Sequence, residues 1–145
     1  MLGGGAGISL SGAYRVPGYS LGAVYEVTFH DSHAIYQRGS LQQARGEWRL
    51  RPHFALIGES IAGFVSVGAG IAAYGDNWAL STLGPSAHVA IGVEVELGVK
   101  LNLVVSFAYR GVYFRDFTDA SGQLRLAGVT QLLGFQLGLE LNEPL

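Results

Sequence analysis

The chain has 145 residues, a formal net charge of -2 and no cysteine. That length suits one domain spanning 1–145, and the lack of cysteine excludes disulfides and thiolate chemistry. The charge, with no Arg/Lys cluster interleaved with aromatics, excludes a nucleic-acid partner. Mean hydropathy is positive at +0.30, yet no uninterrupted apolar run reaches about 18 residues, so a helical membrane span is excluded. Glycine is abundant at 22 residues and charged residues make up only 14%; the glycines sit inside alternating segments and not in a linker.

Seven segments alternate with a period of two, the spacing of a strand with two unlike faces. The first, 5–16, sets Ile8, Leu10, Gly12, Tyr14 and Val16 against Ser9, Ser11, Ala13 and Arg15, and Pro17-Gly18 marks a turn. The second, 20–30, sets Leu21, Ala23, Tyr25, Val27 and Phe29 against Gly22, Val24, Glu26, Thr28 and His30. A polar stretch at 31–45 shows no clear period and reads as a loop. The third segment, 46–57, sets Trp48, Leu50, Phe54 and Leu56 against Glu47, Arg49, Arg51 and His53, with Pro52 predicting a bulge or weak pairing. A short turn at Glu59-Ser60 leads to the fourth, 61–74, rich in Gly, Ala and Val; 75–86 reads as a second long loop.

The fifth and sixth segments carry the clearest pattern. Over 87–99, Ala87, Val89, Ile91, Val93, Val95, Leu97 and Val99 oppose His88, Ala90, Gly92, Glu94, Glu96 and Gly98. Over 101–115, Leu101, Leu103, Val105, Phe107, Tyr109 and Tyr113 oppose Asn102, Val104, Ser106, Ala108, Arg110 and Val112. A polar loop at 116–122 precedes the seventh segment, 123–141, which ends with Leu133, Phe135, Leu137, Leu139 and Leu141 opposite Gly134, Gln136, Gly138 and Glu140. A rival count splits that last segment near Gly128.

A sheet with one face in water covers it with Lys, Thr and Glu. Here the second face is mainly Gly, Ala and Ser with scattered charges, which suits the crowded inside of a narrow barrel whose apolar residues point outward to lipid. Short and long connections alternate, as they do in transmembrane barrels. The pattern therefore predicts an all-β, antiparallel, up-and-down transmembrane β-barrel. Bacterial barrels of one chain use even strand numbers, so seven segments predict eight strands with the first lying before residue 1.

In this texture, above all over 87–116 and 130–141, the chain resembles the small Gram-negative outer membrane β-barrel proteins, OmpA-like and OmpW-like. The resemblance rests on alternation and on no diagnostic motif. It implies an outer membrane location in the cell envelope, contact with membrane lipid and lipopolysaccharide, and assembly through the barrel insertion machinery. The family's last strand usually ends in an aromatic residue, whereas this chain runs on as Asn142-Glu143-Pro144-Leu145.

On this reading Arg15, Glu26, Glu47, Arg49, Arg51, His53, Glu94, Glu96, Arg110 and Glu140 form a polar network filling the interior, since buried charges must pair. Leu103, Val105, Phe107, Tyr109, Leu133, Phe135 and Leu137 face lipid. Eight strands leave an interior that side chains fill, which disfavours an open pore. Enzymatic signals are weak. His30, Asp31, Ser32 and His33 cluster at a strand end, and Ser60 or Ser66 with His53 and Glu94 makes a conceivable nucleophile set. The four histidines lack zinc-site spacing, so no metal and no cofactor is expected. The expected role is structural, in attachment or in assembly, with a partner envelope protein met through the loops at 31–45 and 75–86. The alternatives are a soluble β-barrel binding an apolar small molecule, and an outer membrane lipid-modifying enzyme or narrow channel.

Overall fold

The computed structural model describes residues 5–30, 39–52, 60–75, 80–98, 100–118 and 122–141. Nine strands follow in chain order among them: β1 Gly5–Val16, β2 Tyr19–His30, β3 Gly39–Leu50, β4 Ile61–Gly75, β5 Thr82–Gly98, β6 Leu101–Phe114, β7 Phe117–Thr118, β8 Leu124–Arg125 and β9 Gly128–Leu141. No helix among the described residues is long and apolar enough to cross a membrane, which has no bearing on crossing by strands.

Seven strands form one antiparallel sheet in the order β1-β2-β3-β4-β5-β6-β9, and β7 and β8 form a small hairpin beside it. The turn at Pro17-Gly18 joins β1 to β2, with Gly18 at φ 90°, a left-handed conformation that glycine adopts at no steric cost. Register is continuous from Gly5 opposite His30 to Val16 opposite Tyr19. A β-bulge between Glu96 and Gly98 marks the tight passage from β5 to β6.

Several boundaries differ from the sequence expectation, and β7 lies within the stretch 116–122 read as a loop. The third strand begins at Gly39, inside the stretch read as a loop, and ends at Leu50. Its residues sharing a face with the apolar side of β2 include Ser40, Gln42, Ala44 and Gly46, so no apolar alternation announces it. The fifth begins at Thr82, and Pro85 is accommodated because β6 pairs with β5 only from Ser86 onward, leaving no ladder for the missing N–H to break on that side. The last segment divides before Gly128, into β8 and β9. The loop portions 31–38 and 76–79, the segment 53–59, Val99 and the terminal residues Asn142 to Leu145 lie outside the described residues.

The decisive correction concerns closure. The sheet curves into a half-barrel but stays open, with its two edges 9 Å apart. With seven strands in antiparallel sequence, the edges β1 and β9 run in the same direction. They could meet only as a parallel pair, and adjacent strands lie about 4.8 Å apart. The gap is therefore about two strand spacings wide, and both edges keep a row of backbone N–H and C=O groups without ladder partners among the described residues. Exposed sheet edges of this kind have no place in hydrocarbon, where no water satisfies them. The expected closed, eight-stranded transmembrane barrel is thus replaced by an open, seven-stranded half-barrel. The outer membrane location, the contacts with lipid and lipopolysaccharide and the insertion machinery, which the resemblance implies, and the envelope role all require that closed barrel, and they fall with it.

Inside the curve the two ends differ. Where the longer connections gather, Leu41, Ala72, Tyr74, Val112, Phe114 and Phe117 pack into a buried apolar cluster. Tyr74, Phe114 and Phe117 meet pairwise with ring centroids 6.2–6.3 Å apart in tilted or edge-on geometry. Toward the opposite end the concave face is polar.

Candidate functional site

The period of two places alternate residues of each strand on the concave face, and register brings the charged ones together. Two carboxylates organise them. Glu94 on β5 is 2% exposed. Its Oε1 accepts hydrogen bonds from Arg49 Nη1 and Arg51 Nη2, each at 2.7 Å. Its Oε2 accepts from Arg51 Nε at 2.8 Å and Arg15 Nη2 at 2.9 Å. Arg51 thus grips the carboxylate with a two-pronged fork, the geometry that guanidinium favours, and its Nη1 donates to Ser20 Oγ at 3.2 Å. Arg49 also donates to Glu140 Oε1 at 2.6 Å and lies 4.4 Å over the Phe64 ring.

The second centre is Glu26 on β2, whose Oε2 accepts from Arg45 Nη1 at 2.9 Å and whose Oε1 accepts from Arg110 Nη1. One carboxylate therefore serves two buried arginines. Glu47 Oε2 lies 3.5 Å from Arg45 Nε without forming a hydrogen bond, and the Nε atoms of Arg45, Arg49 and Arg110 are buried without acceptors.

These contacts set the ionisation. Burial disfavours the Glu94 carboxylate, but Arg51, Arg49 and Arg15 outweigh it and hold its pKa at about 2. Burial likewise works against the Arg49 cation, and Glu140 and Glu94 overcome it, so its pKa is raised. Arg110 goes the other way: burial, helped by neighbouring Arg45, lowers its pKa despite Glu26. His88 is pushed down to about 3 by burial first and then by Arg45, Arg110 and Arg49. Its Nε2 lies 3.6 Å from Glu47, yet burial and the surrounding arginines keep the ring neutral, so this contact is no ion pair at neutral pH.

Acid should unfold the protein in two stages. Unfolded, His88 takes up a proton near its ordinary 6.5; folded, it resists until about 3. The unfolded state binds more protons in that window, so the stability is full above pH 6.5 and falls as the pH drops toward 3. Between pH 6.5 and 5 the loss is about 2 kcal/mol, at 1.36 kcal/mol per unit. Glu94 adds a second loss as the pH falls below 4.5 toward 2. Denaturant titrations at pH 7 and pH 5 check this: His88→Gln should abolish the difference between the two pH values, and an undiminished difference would assign the effect to other groups.

Of the residues expected in the interior, Arg15, Glu26, Glu47, Arg49, Arg51, Glu94, Arg110 and Glu140 meet in this network. Glu96 stays exposed next to the bulge, and His53 lies outside the described residues. Arg45, Gln43 and His88 belong to the buried set but were not singled out. The first two sit in the stretch without apolar period, where stepping back by two from Arg49 and Glu47 would have found Arg45. Of the residues expected to face lipid, Leu103 and Val105 are half-buried on the convex face, and Phe107, Tyr109, Leu133, Phe135 and Leu137 are exposed there. Ser66 is buried and Glu94 is saturated by arginines, so they form no nucleophile set. Asp31, Ser32 and His33 lie outside the described residues, and His30 Nε2 is 3.0 Å from Thr28 Oγ1. Among the described residues no group of three His, Asp or Glu could hold a metal.

The network floors a cavity of about 920 Å³ that both edges help to line, with 5–9 and 11 from β1 and 131–140 from β9. Register gives β1 small inward residues, Gly5, Gly7, Ser9, Ser11 and Ala13, ahead of Arg15, while on β9 the inward Gly134 and Gly138 alternate with Thr130, Leu132, Gln136 and Glu140. Their outward residues are large and apolar, with Ile8 76%, Leu10 79% and Phe135 71% exposed. The buried inward positions of β5, such as Ser86, His88, Ala90 and Glu94, show what the edges lack, since β1 is exposed over nearly its whole length.

Fold and site together define an open antiparallel β half-barrel with a charged concavity behind a strand-wide seam. No family model, no curated protein and no solved structure matches the chain. The resemblance to OmpA-like and OmpW-like barrels is therefore withdrawn: the texture that suggested it is shared, but the closed ring that defines those proteins is not.

Proposed function

We propose that this chain is a binding module that takes up one extended polypeptide segment in the seam between β1 and β9. The carrying observation is the seam itself: two edges running in the same direction, 9 Å apart. One strand between them, antiparallel to both, stands about 4.8 Å from each and gives both rows of backbone groups a partner. Main-chain hydrogen bonds then supply affinity, and alternate side chains supply selectivity. The small inward residues of β1, with Gly134 and Gly138 on β9, leave room for the segment's inward side chains. Ile8, Leu10 and Tyr14 on one side and Leu133, Phe135 and Leu137 on the other offer cross-strand neighbours to apolar residues on its outer face.

The size of the cavity favours a second reading, an apolar small molecule with a polar end. About 920 Å³ is ample for such a ligand, and Val24, Val104 and Leu132 contribute to the lining. The arginines and glutamates beneath make it the weaker reading, because an apolar body there would cover polar groups without pairing them.

A fluorescein-labelled peptide of twelve residues, alternating valine with serine or glycine, separates the two by fluorescence anisotropy. Two further versions carry N-methyl groups on the odd or on the even residues, each removing the donors toward one edge. Saturable binding that weakens at least about tenfold in both versions supports the seam, since several hydrogen bonds are lost in each. Binding insensitive to methylation, or saturable binding of dodecanoate alone, contradicts it.

A further inference from the structure

Resting on that reading, we infer that the segment taken up presents one carboxylate side chain on its inward face, received by Arg45 and Arg110. The ion pair of Arg110 on β6 with Glu26 on β2 spans the concavity directly behind the seam, because β9 and β1 are the only strands between them on that side. A side chain entering inward from the seam meets this pair first. The pair is short of negative charge: Glu26 divides its two oxygens between Arg110 and Arg45. Both residues line the cavity, are at most 6% exposed, and keep a buried Nε–H without an acceptor. Buried donors of this kind are rare unless a partner is missing. Glu47 stands nearby, at 3.5 Å from Arg45 Nε, without completing the hydrogen bond. Burial is the main reason that the pKa values of Arg110 and His88 are lowered, and neighbouring Arg45 adds to it in both. A carboxylate can accept from two guanidiniums at once and suits the shortage of negative charge; an ammonium deepens it.

The test varies the peptide and leaves the protein intact, so no folding defect intervenes. In the twelve-residue peptide, each inward serine or glycine is replaced in turn by glutamate, glutamine or lysine, and the affinities are compared at equal ionic strength. At one or two adjacent inward positions glutamate should bind about tenfold more tightly than glutamine, the size of a charge-assisted hydrogen bond. Lysine there should bind more weakly than either. Glutamate and glutamine within about twofold at every position, or lysine as the tightest binder, overturns the inference. If the peptides bind and remain sensitive to N-methylation without preferring glutamate, the carboxylate alone is refuted and the seam stands. If none binds, both fall.

Discussion

Replacing Glu94 by glutamine should cost about 3–5 kcal/mol of folding stability, the largest loss expected of any single substitution in the network. The carboxylate is 2% exposed and receives hydrogen bonds from Arg15, Arg49 and Arg51. Glutamine keeps the shape and one oxygen but brings an NH₂ that points donors at donors. It also leaves the guanidiniums, which cannot shed their protons, with Glu140 and Glu47 as the remaining carboxylates within reach of Arg49 and Arg15. Desolvation has then been incurred by cations whose counter-charge is gone. The midpoint of guanidinium unfolding at pH 7 measures the effect. A further sign should accompany it: the variant should lose the part of the acid sensitivity between pH 4.5 and 2 that Glu94 carries. A loss below about 1 kcal/mol would mean that water, and not Glu94, screens these arginines.

The second large effect should be functional and leave the fold alone. Gly134 points into the cavity from β9, and a Cβ added there meets nothing within 4 Å. Gly134→Phe therefore has open space at its Cβ and carries its ring into the inward half of the seam. Strand propensity favours the change, since glycine weakens a strand and an aromatic strengthens it. Stability should stay within about 1 kcal/mol of the parent or rise, while affinity for the twelve-residue peptide falls by about a hundredfold or more, because overlap with the ring removes the inward side chains' space. Gly138→Phe, likewise open, should behave in the same way. Unchanged peptide affinity in both variants would place binding elsewhere on the molecule.

The alternation over 87–99 and 101–115 was enough to place strands there and to sort their faces, because a period of two survives wherever the outward residues are Val, Ile, Leu, Phe or Tyr. It failed over 39–45. There the positions alternating with Leu41, Gln43 and Arg45 are Ser40, Gln42 and Ala44, and a strand without a bulky face has no period to detect. Arg45 was missed for that reason alone. Closure was illegible for a different cause. Residues 5–16 and 128–141 alternate just as the central strands do, and whether two edges join depends on strand direction and spacing, which no single segment encodes. The odd number of segments was the available signal. Taken with the even strand numbers of closed barrels it predicts an eighth strand, whereas the described strands form an open sheet.

Amide hydrogen exchange along the two edges, measured residue by residue with and without the twelve-residue peptide, tests the account most directly. Without peptide, the seam-facing amides of β1 and β9 should exchange freely while those of β4 and β5 remain protected. With saturating peptide, alternate amides on both edges should slow together, each row by at least about tenfold. Protection of one edge only, or seam-facing amides already as slow as those of β5 without peptide, would contradict a seam built to receive a strand.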